Sequence, residues 1–139
     1  MELKMDIAAL EAFLGEAFPQ VSADFGIERL DAGGLCVRLK VAERHLRPGG
    51  TISGPSMFAL ADVAVYLAIL SRLGPVALAV TTNCSIDFMR KPASGVDLLC
   101  ECRLLKLGRL LAVGDVLIHS EGLDQPVARA SLTYAIPPS

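Results

Sequence analysis

Asp62 is a lone carboxylate in an apolar setting. From Pro55 to Leu70 every residue except Ser56 and Asp62 is apolar or aromatic. If the segment is helical, the neighbours three and four positions away are Phe58, Ala59, Val65 and Tyr66, none of them basic. A carboxylate there is costly to bury, so it should be hydrogen-bonded or used. One reading is structural, an aspartate bonded to Tyr66 or to a loop N–H. The other is chemical, a partly desolvated carboxylate placed as base or nucleophile.

Just upstream, "GGTISGP" (Gly49 to Pro55) leads into the same segment. A glycine-rich loop entering a helix leaves backbone N–H groups at the positive end of the helix dipole. Such an end can cradle an anion or serve as an oxyanion hole, and glycines can also serve chain geometry alone. No Gly-Lys-Ser/Thr follows, which excludes a P-loop, and Ser53 lies in "GTISG" rather than G-x-S-x-G, which disfavours a serine nucleophile elbow.

The remaining reactive residues point to less. Cys36, Cys84, Cys100 and Cys102 form no CxxC pair, and His45 and His119 have no ligand spacing to them or to each other. Reduced cysteines acting as small hydrophobes are expected. The formal charge of -2, with scattered Lys and Arg, disfavours a nucleic-acid or anionic-membrane surface. Hydrophobic residues make up 53% of the chain and the mean hydropathy is +0.50, which suggests apolar surface buried between subunits. Met57–Leu70 is interrupted by Asp62 and shorter than the ~20 residues of a membrane span, and the acidic N-terminus lacks the plan of a signal peptide. A cytoplasmic location is the expectation.

The elements that must position these residues read as one domain over 1–139. Asp6 can cap a first helix bearing Ile7, Leu10, Phe13 and Leu14 and ending before Pro19. Ile27–Leu30 and Leu35–Val41 flank the turn signal "DAGG". The apolar helix follows, capped by Ser53 or Gly54, with Pro55 suited to its first position and "LGP" at its end. Strands are expected over Val76–Met89, Val96–Leu105, Leu110–His119 and Val127–Ile136, with "KLGR" and "SEGLDQP" as turns. On the third strand, period-two alternation puts Thr81, Asn83 and Ser85 on one face, and a one-residue slip would exchange the faces. The order is α+β, and an all-round apolar helix needs cover. A curved antiparallel sheet wrapped around one long central helix, the hotdog arrangement, supplies it.

"LRPGGTISGPSMFALADVAVYLAIL" and "LAVTTNCSIDFMRKPASG" together resemble the PaaI-like branch of the hotdog acyl-CoA thioesterases. Those proteins carry a G-x-x-H-G-G loop, an L-A-D helix and an I-x-F-x-R-P strand end. The resemblance implies hydrolysis of an acyl-CoA, with Asp62 as the catalytic carboxylate, the Gly54 N–H polarising the carbonyl and Thr81 orienting water. No metal or redox cofactor is implied, CoA being part of the substrate. The chain departs from the pattern at Ser53, where the family has histidine, at Pro55, where it has glycine, and at Arg47, where it has asparagine. Arg47 and Ser53 count as substrate-contacting positions, and Arg90, Lys91, Lys106 and Arg109 as candidates for the CoA phosphates or as solvated charge. A homodimer with shared sites, paired further into tetramers, is the implied assembly. A non-catalytic acyl-CoA binder and an enoyl-CoA hydratase or dehydratase remain as alternatives.

Overall fold

The computed structural model describes residues 2–138. Helix α1 spans Ile7–Ala17 and begins where Asp6 Oδ1 accepts the Ala9 N–H at 2.8 Å. Strands β1 (Phe25–Asp31) and β2 (Gly34–Leu39) form a hairpin, its turn held by Asp31 Oδ1, which accepts the N–H groups of Gly33 and Gly34. A loop containing a 3-10 turn at Glu43–His45 then leads to helix α2, Gly54–Leu73. Strands β3 (Val80–Phe88), β4 (Leu98–Leu107), β5 (Leu111–Ser120) and β6 (Pro126–Ala135) complete the chain.

The six strands make one antiparallel sheet in the order β1-β2-β4-β5-β6-β3, which leaves β3 at an edge. Helix α2 lies against this sheet, with Leu60, Val65, Leu67, Ile69 and Leu70 almost fully excluded from solvent. Removing a Leu or Ile side chain from water contributes about 1.5–3 kcal/mol, so this helix anchors the core. It approaches β5 at Gly114, where a Cβ would come within 2.8 Å of a Val65 methyl. At 20 residues α2 is long and apolar enough to cross a bilayer, contrary to the length argument from sequence. Most of its side chains are nonetheless buried against the sheet, so it is the core helix.

Other sequence expectations shift at their edges. The third strand starts at Val80 rather than Val76, because the chain leaving Gly74 makes a turn closed by the Ala79 N–H on the Val76 carbonyl. The "KLGR" turn is tighter than expected. Lys106 and Leu107 stay in β4 beyond a bulge, and the Gly108 N–H donates to the Leu111 carbonyl at 2.8 Å. A bulge also interrupts β3, with Thr81 opposite Tyr134 but Asn83 opposite Thr133. The extra residue, Thr82, breaks the alternation. Thr81 therefore shares its face with Cys84 and Ile86, not with Asn83 and Ser85, which corrects the sequence reading.

Candidate active site

Asp62 lies on the side of α2 that meets the start of β3 and the end of β6. Its Oδ1 accepts hydrogen bonds from the Thr81 hydroxyl and, at 2.8 Å, from the Tyr134 hydroxyl. The Tyr134 hydroxyl also lies 3.0 Å from the Asp62 carbonyl. Burial, and then the Asp62 charge, push the Tyr134 phenol far above its ordinary value, so it stays a donor. Neither structural partner expected from sequence is the one observed, since the Tyr66 hydroxyl donates to the Ala77 carbonyl at 3.1 Å.

The second carboxylate oxygen is different. Oδ2 accepts no hydrogen bond from any described residue, and no buried side-chain oxygen among them lacks a partner, so Oδ2 is open to solvent. Asp62 lines a recess of about 440 Å³ together with Phe18, Val63, Ala79 and Val80 on the apolar side and Tyr66, Thr81 and Tyr134 on the polar side. One oxygen is pinned by two donors while the other has no hydrogen-bond partner among the described residues. That arrangement suits a base or nucleophile.

Gly54 is the first residue of α2, two turns before Asp62. Ser53 is the N-cap, its Oγ accepting the Ser56 N–H at 3.2 Å, while the Ser53 carbonyl accepts the Met57 N–H at 3.1 Å. Pro55 has no N–H. Gly54 is thus the one residue of the first helical turn whose N–H has no acceptor among the described residues. A Cβ here would lie 3.3 Å from the Phe88 ring, a close contact that a small shift of this half-exposed side chain relieves.

Gly54 opens onto a second recess of about 510 Å³, which Arg47, Arg90 and Lys91 also line. This recess shares no wall residue with the one at Asp62. Eight residues of helix put the two ends about 12 Å apart. The Arg90 guanidinium donates to the Pro126 carbonyl at 2.7 Å. Lys106 lines a recess beside Arg72 and Arg103, and Arg109 a groove beside Leu73 and Pro137, and neither contains Asp62 or Gly54. Within one chain, then, Thr81 joins Asp62, while Arg47, Arg90 and Lys91 join Gly54. Ser53 serves as the helix cap, and Lys106 and Arg109 stand apart.

Tyr134 escaped the sequence reading. Its signal was available: Leu132, Tyr134 and Ile136 alternate along the last strand, and a core-facing tyrosine needs an acceptor for its hydroxyl. Cys36, Cys100 and Cys102 are buried thiols as expected, while Cys84 is half-buried. Burial pushes Cys36 up to about 11 and Cys102 up to about 12, with nearby carboxylates adding to both, which keeps them protonated.

Residues 49–127, more than half of the chain, match the family model described as the thioesterase superfamily. The chain belongs to that family. A Silicibacter sp. TM1040 protein whose name proposes a thioesterase has a crystal structure that matches with a TM-score of 0.93 and 63% identity, over 99% of this chain and 96% of that one. A point mutant of the phenylacetic acid degradation protein PaaI from Thermus thermophilus matches with a TM-score of 0.72 and 31% identity, over 86% of this chain and 99% of that one. A Streptococcus mutans UA159 protein solved bound to acetyl CoA matches with a TM-score of 0.73 and 28% identity, over 83% of this chain and 90% of that one. The hotdog fold and the likeness to PaaI expected from sequence are both found.

Proposed function

We propose that this protein hydrolyses an acyl-CoA, with an aromatic or a short- to medium-chain acyl group, to the free acid and CoA. The observation that carries the reading is Asp62, which lines a recess and whose Oδ1 is held by Thr81 and Tyr134 while Oδ2 has no hydrogen-bond partner among the described residues. In the base route Oδ2 takes a proton from water as the water oxygen bonds to the thioester carbon. The carbonyl oxygen becomes an oxyanion facing the Gly54 N–H. Collapse of the tetrahedral species breaks the C–S bond, and the CoA thiolate leaves and takes up the proton. In the nucleophile route Oδ2 itself bonds to the carbonyl carbon, the C–S bond breaks and CoA leaves as thiolate; water then opens the mixed anhydride to the free acid and the Asp62 carboxylate, and the proton released goes to the thiolate. Thr81 gives its hydroxyl hydrogen to Asp62, which leaves an oxygen lone pair to accept from the water.

A single helix does not bring both groups to one carbonyl, because an oxyanion donor must stand about 3 Å from the oxygen it stabilises. Two protomers with antiparallel α2 helices do. The edge strand β3 supports this pairing, with Leu78 77% exposed and Val80, Phe88 and Met89 exposed in and beside it. Apolar side chains along an unpaired strand edge favour a second copy as cover. The Gly54 end of one protomer's helix would then face Asp62 of its partner, two sites per dimer, and Arg47, Arg90 and Lys91 would stand on the CoA side. Pairing of such dimers into tetramers and a cytoplasmic location belong to the same reading.

The test is thiol release from a panel of aromatic, short and long acyl-CoAs. Turnover of at least one supports the hydrolase. Tight binding without turnover would establish a binder instead, and water addition to an enoyl-CoA a hydratase.

A further inference from the structure

His45 is 6% exposed and is not part of the site described above. Its Nδ1 accepts the Ala42 N–H at 2.9 Å, so the ring hydrogen sits on Nε2. That nitrogen lies 3.2 Å from Asp24 Oδ2 and donates to it. Asp24 is also held by Arg44. Burial alone would raise its carboxyl, but the hydrogen bonds from Arg44 and His45 outweigh this and keep it below its ordinary value. Asp24 is in turn fixed to the sheet, its carbonyl accepting the Lys40 N–H at 2.8 Å.

The backbone of His45 reaches the other way. Its carbonyl accepts the Ser53 N–H at 2.8 Å and the Ser56 hydroxyl at 3.3 Å. Ser53 is thereby fixed on both sides, by its N–H to His45 and by its carbonyl to Met57. The Ser53–Gly54 peptide is planar and trans, so a carbonyl turned into the helix turns the Gly54 N–H out of it. The loop between these points contains Gly49 and Gly50, both at positive φ, and closes on itself through the Arg47 N–H, which donates to the Thr51 carbonyl at 2.8 Å, so the His45 carbonyl is what ties this closed loop to Ser53.

We propose that Asp24 and His45 form the positioning unit of the Gly54 oxyanion donor, tying the loop before α2 to the sheet so that this N–H stays unpaired and aimed at the substrate. The proposal rests on the hydrolase reading above. His45 touches neither substrate nor the reacting atoms and acts through Ser53. A side chain that only stabilised the fold would lower the melting temperature without changing turnover by the folded enzyme, or its dependence on Gly54.

The experiment is a double-mutant cycle in the full chain, with kcat and KM read by thiol release and folding by melting. His45→Phe is expected to lower kcat at least tenfold with KM within about twofold. His45→Asn keeps an acceptor for the Ala42 N–H but loses the arm to Asp24, and should fall between it and wild type. In a Gly54→Pro background, where the donor is already gone, His45→Phe should change kcat less than twofold, because coupled residues are not additive. Amide exchange at Ser53 should be faster in His45→Phe by tenfold or more. A folded His45→Phe enzyme with kcat within twofold of wild type would overturn the proposal, as would losses that multiply in the double variant. If His45→Phe does not fold, His45→Asn with unchanged kcat and unchanged Ser53 exchange overturns it equally. Wild-type protein inactive on every thioester would overturn the hydrolase reading itself, and this role with it.

Discussion

Gly54→Pro removes one N–H and disturbs little else. Ser53 has φ -76° and ψ 155°, the extended conformation that a residue before proline prefers. Proline is at home in the first helical position, and the Gly54 N–H makes no bond that folding would lose. The three atoms nearest an added Cβ all belong to the Phe88 ring, the closest at 3.3 Å, and Phe88 is half exposed and can yield. The expected cost to stability is therefore under about 1 kcal/mol. The cost to catalysis is another matter. Loss of one oxyanion donor lowers kcat by about 10²–10³, or ~2.7–4 kcal/mol. No neighbour can substitute, since Pro55 lacks an N–H and those of Ser56 and Met57 are taken by Ser53. The assay is kcat from thiol release at saturating acyl-CoA, beside a melting curve. Gly54→Ala, which adds a Cβ but keeps the N–H, is the control and should retain most of kcat. If folded Gly54→Pro keeps more than about a tenth of the wild-type kcat, a loss under ~1.4 kcal/mol, the Gly54 N–H is not the oxyanion donor.

Thr81→Ala should lower kcat about tenfold with little change in KM, because it removes one of the two donors that hold Asp62. Thr82→Ala should leave kcat unchanged, since that hydroxyl donates to the Thr133 carbonyl instead, and equal effects of the two would contradict the β3 register. Mixing Asp62→Asn with Gly54→Pro, then unfolding and refolding them together, should recover activity, because a mixed dimer rebuilds one intact site of two. Mixed dimers that form and stay inactive would contradict the shared site.

The central helix, its cap to within one residue (Ser53 or Gly54) and Asp62 were legible because each is a local signal, a charge against an apolar run and capping residues before proline. The strands were legible from alternation but their ends were not, since Val76–Ala79 is as apolar as a strand while its backbone closes a turn. The bulge at Thr82 shows the limit of period-two reasoning. Thr81 reaches Asp62 as expected, yet its face-mates are Cys84 and Ile86, because a bulge depends on the partner strand β6. Tyr134 and the Asp24–His45 pair lie 72 and 21 residues from their partners, so they depend on the fold and not on spacing. The separation of the two recesses was foreseeable from helix rise alone, and the same rise is what calls for a second protomer.

The most direct measurement is kcat/KM of Asp62→Asn beside wild type on the best acyl-CoA. Asparagine keeps an Oδ1 that accepts from both Thr81 and Tyr134, so the variant should fold as wild type does. It lacks the carboxylate oxygen that must take the proton or attack the carbonyl. The account predicts a loss of at least a hundredfold, about 2.7 kcal/mol in transition-state stabilisation. A folded Asp62→Asn protein that keeps more than about a tenth of the wild-type value, a loss under ~1.4 kcal/mol, would contradict it.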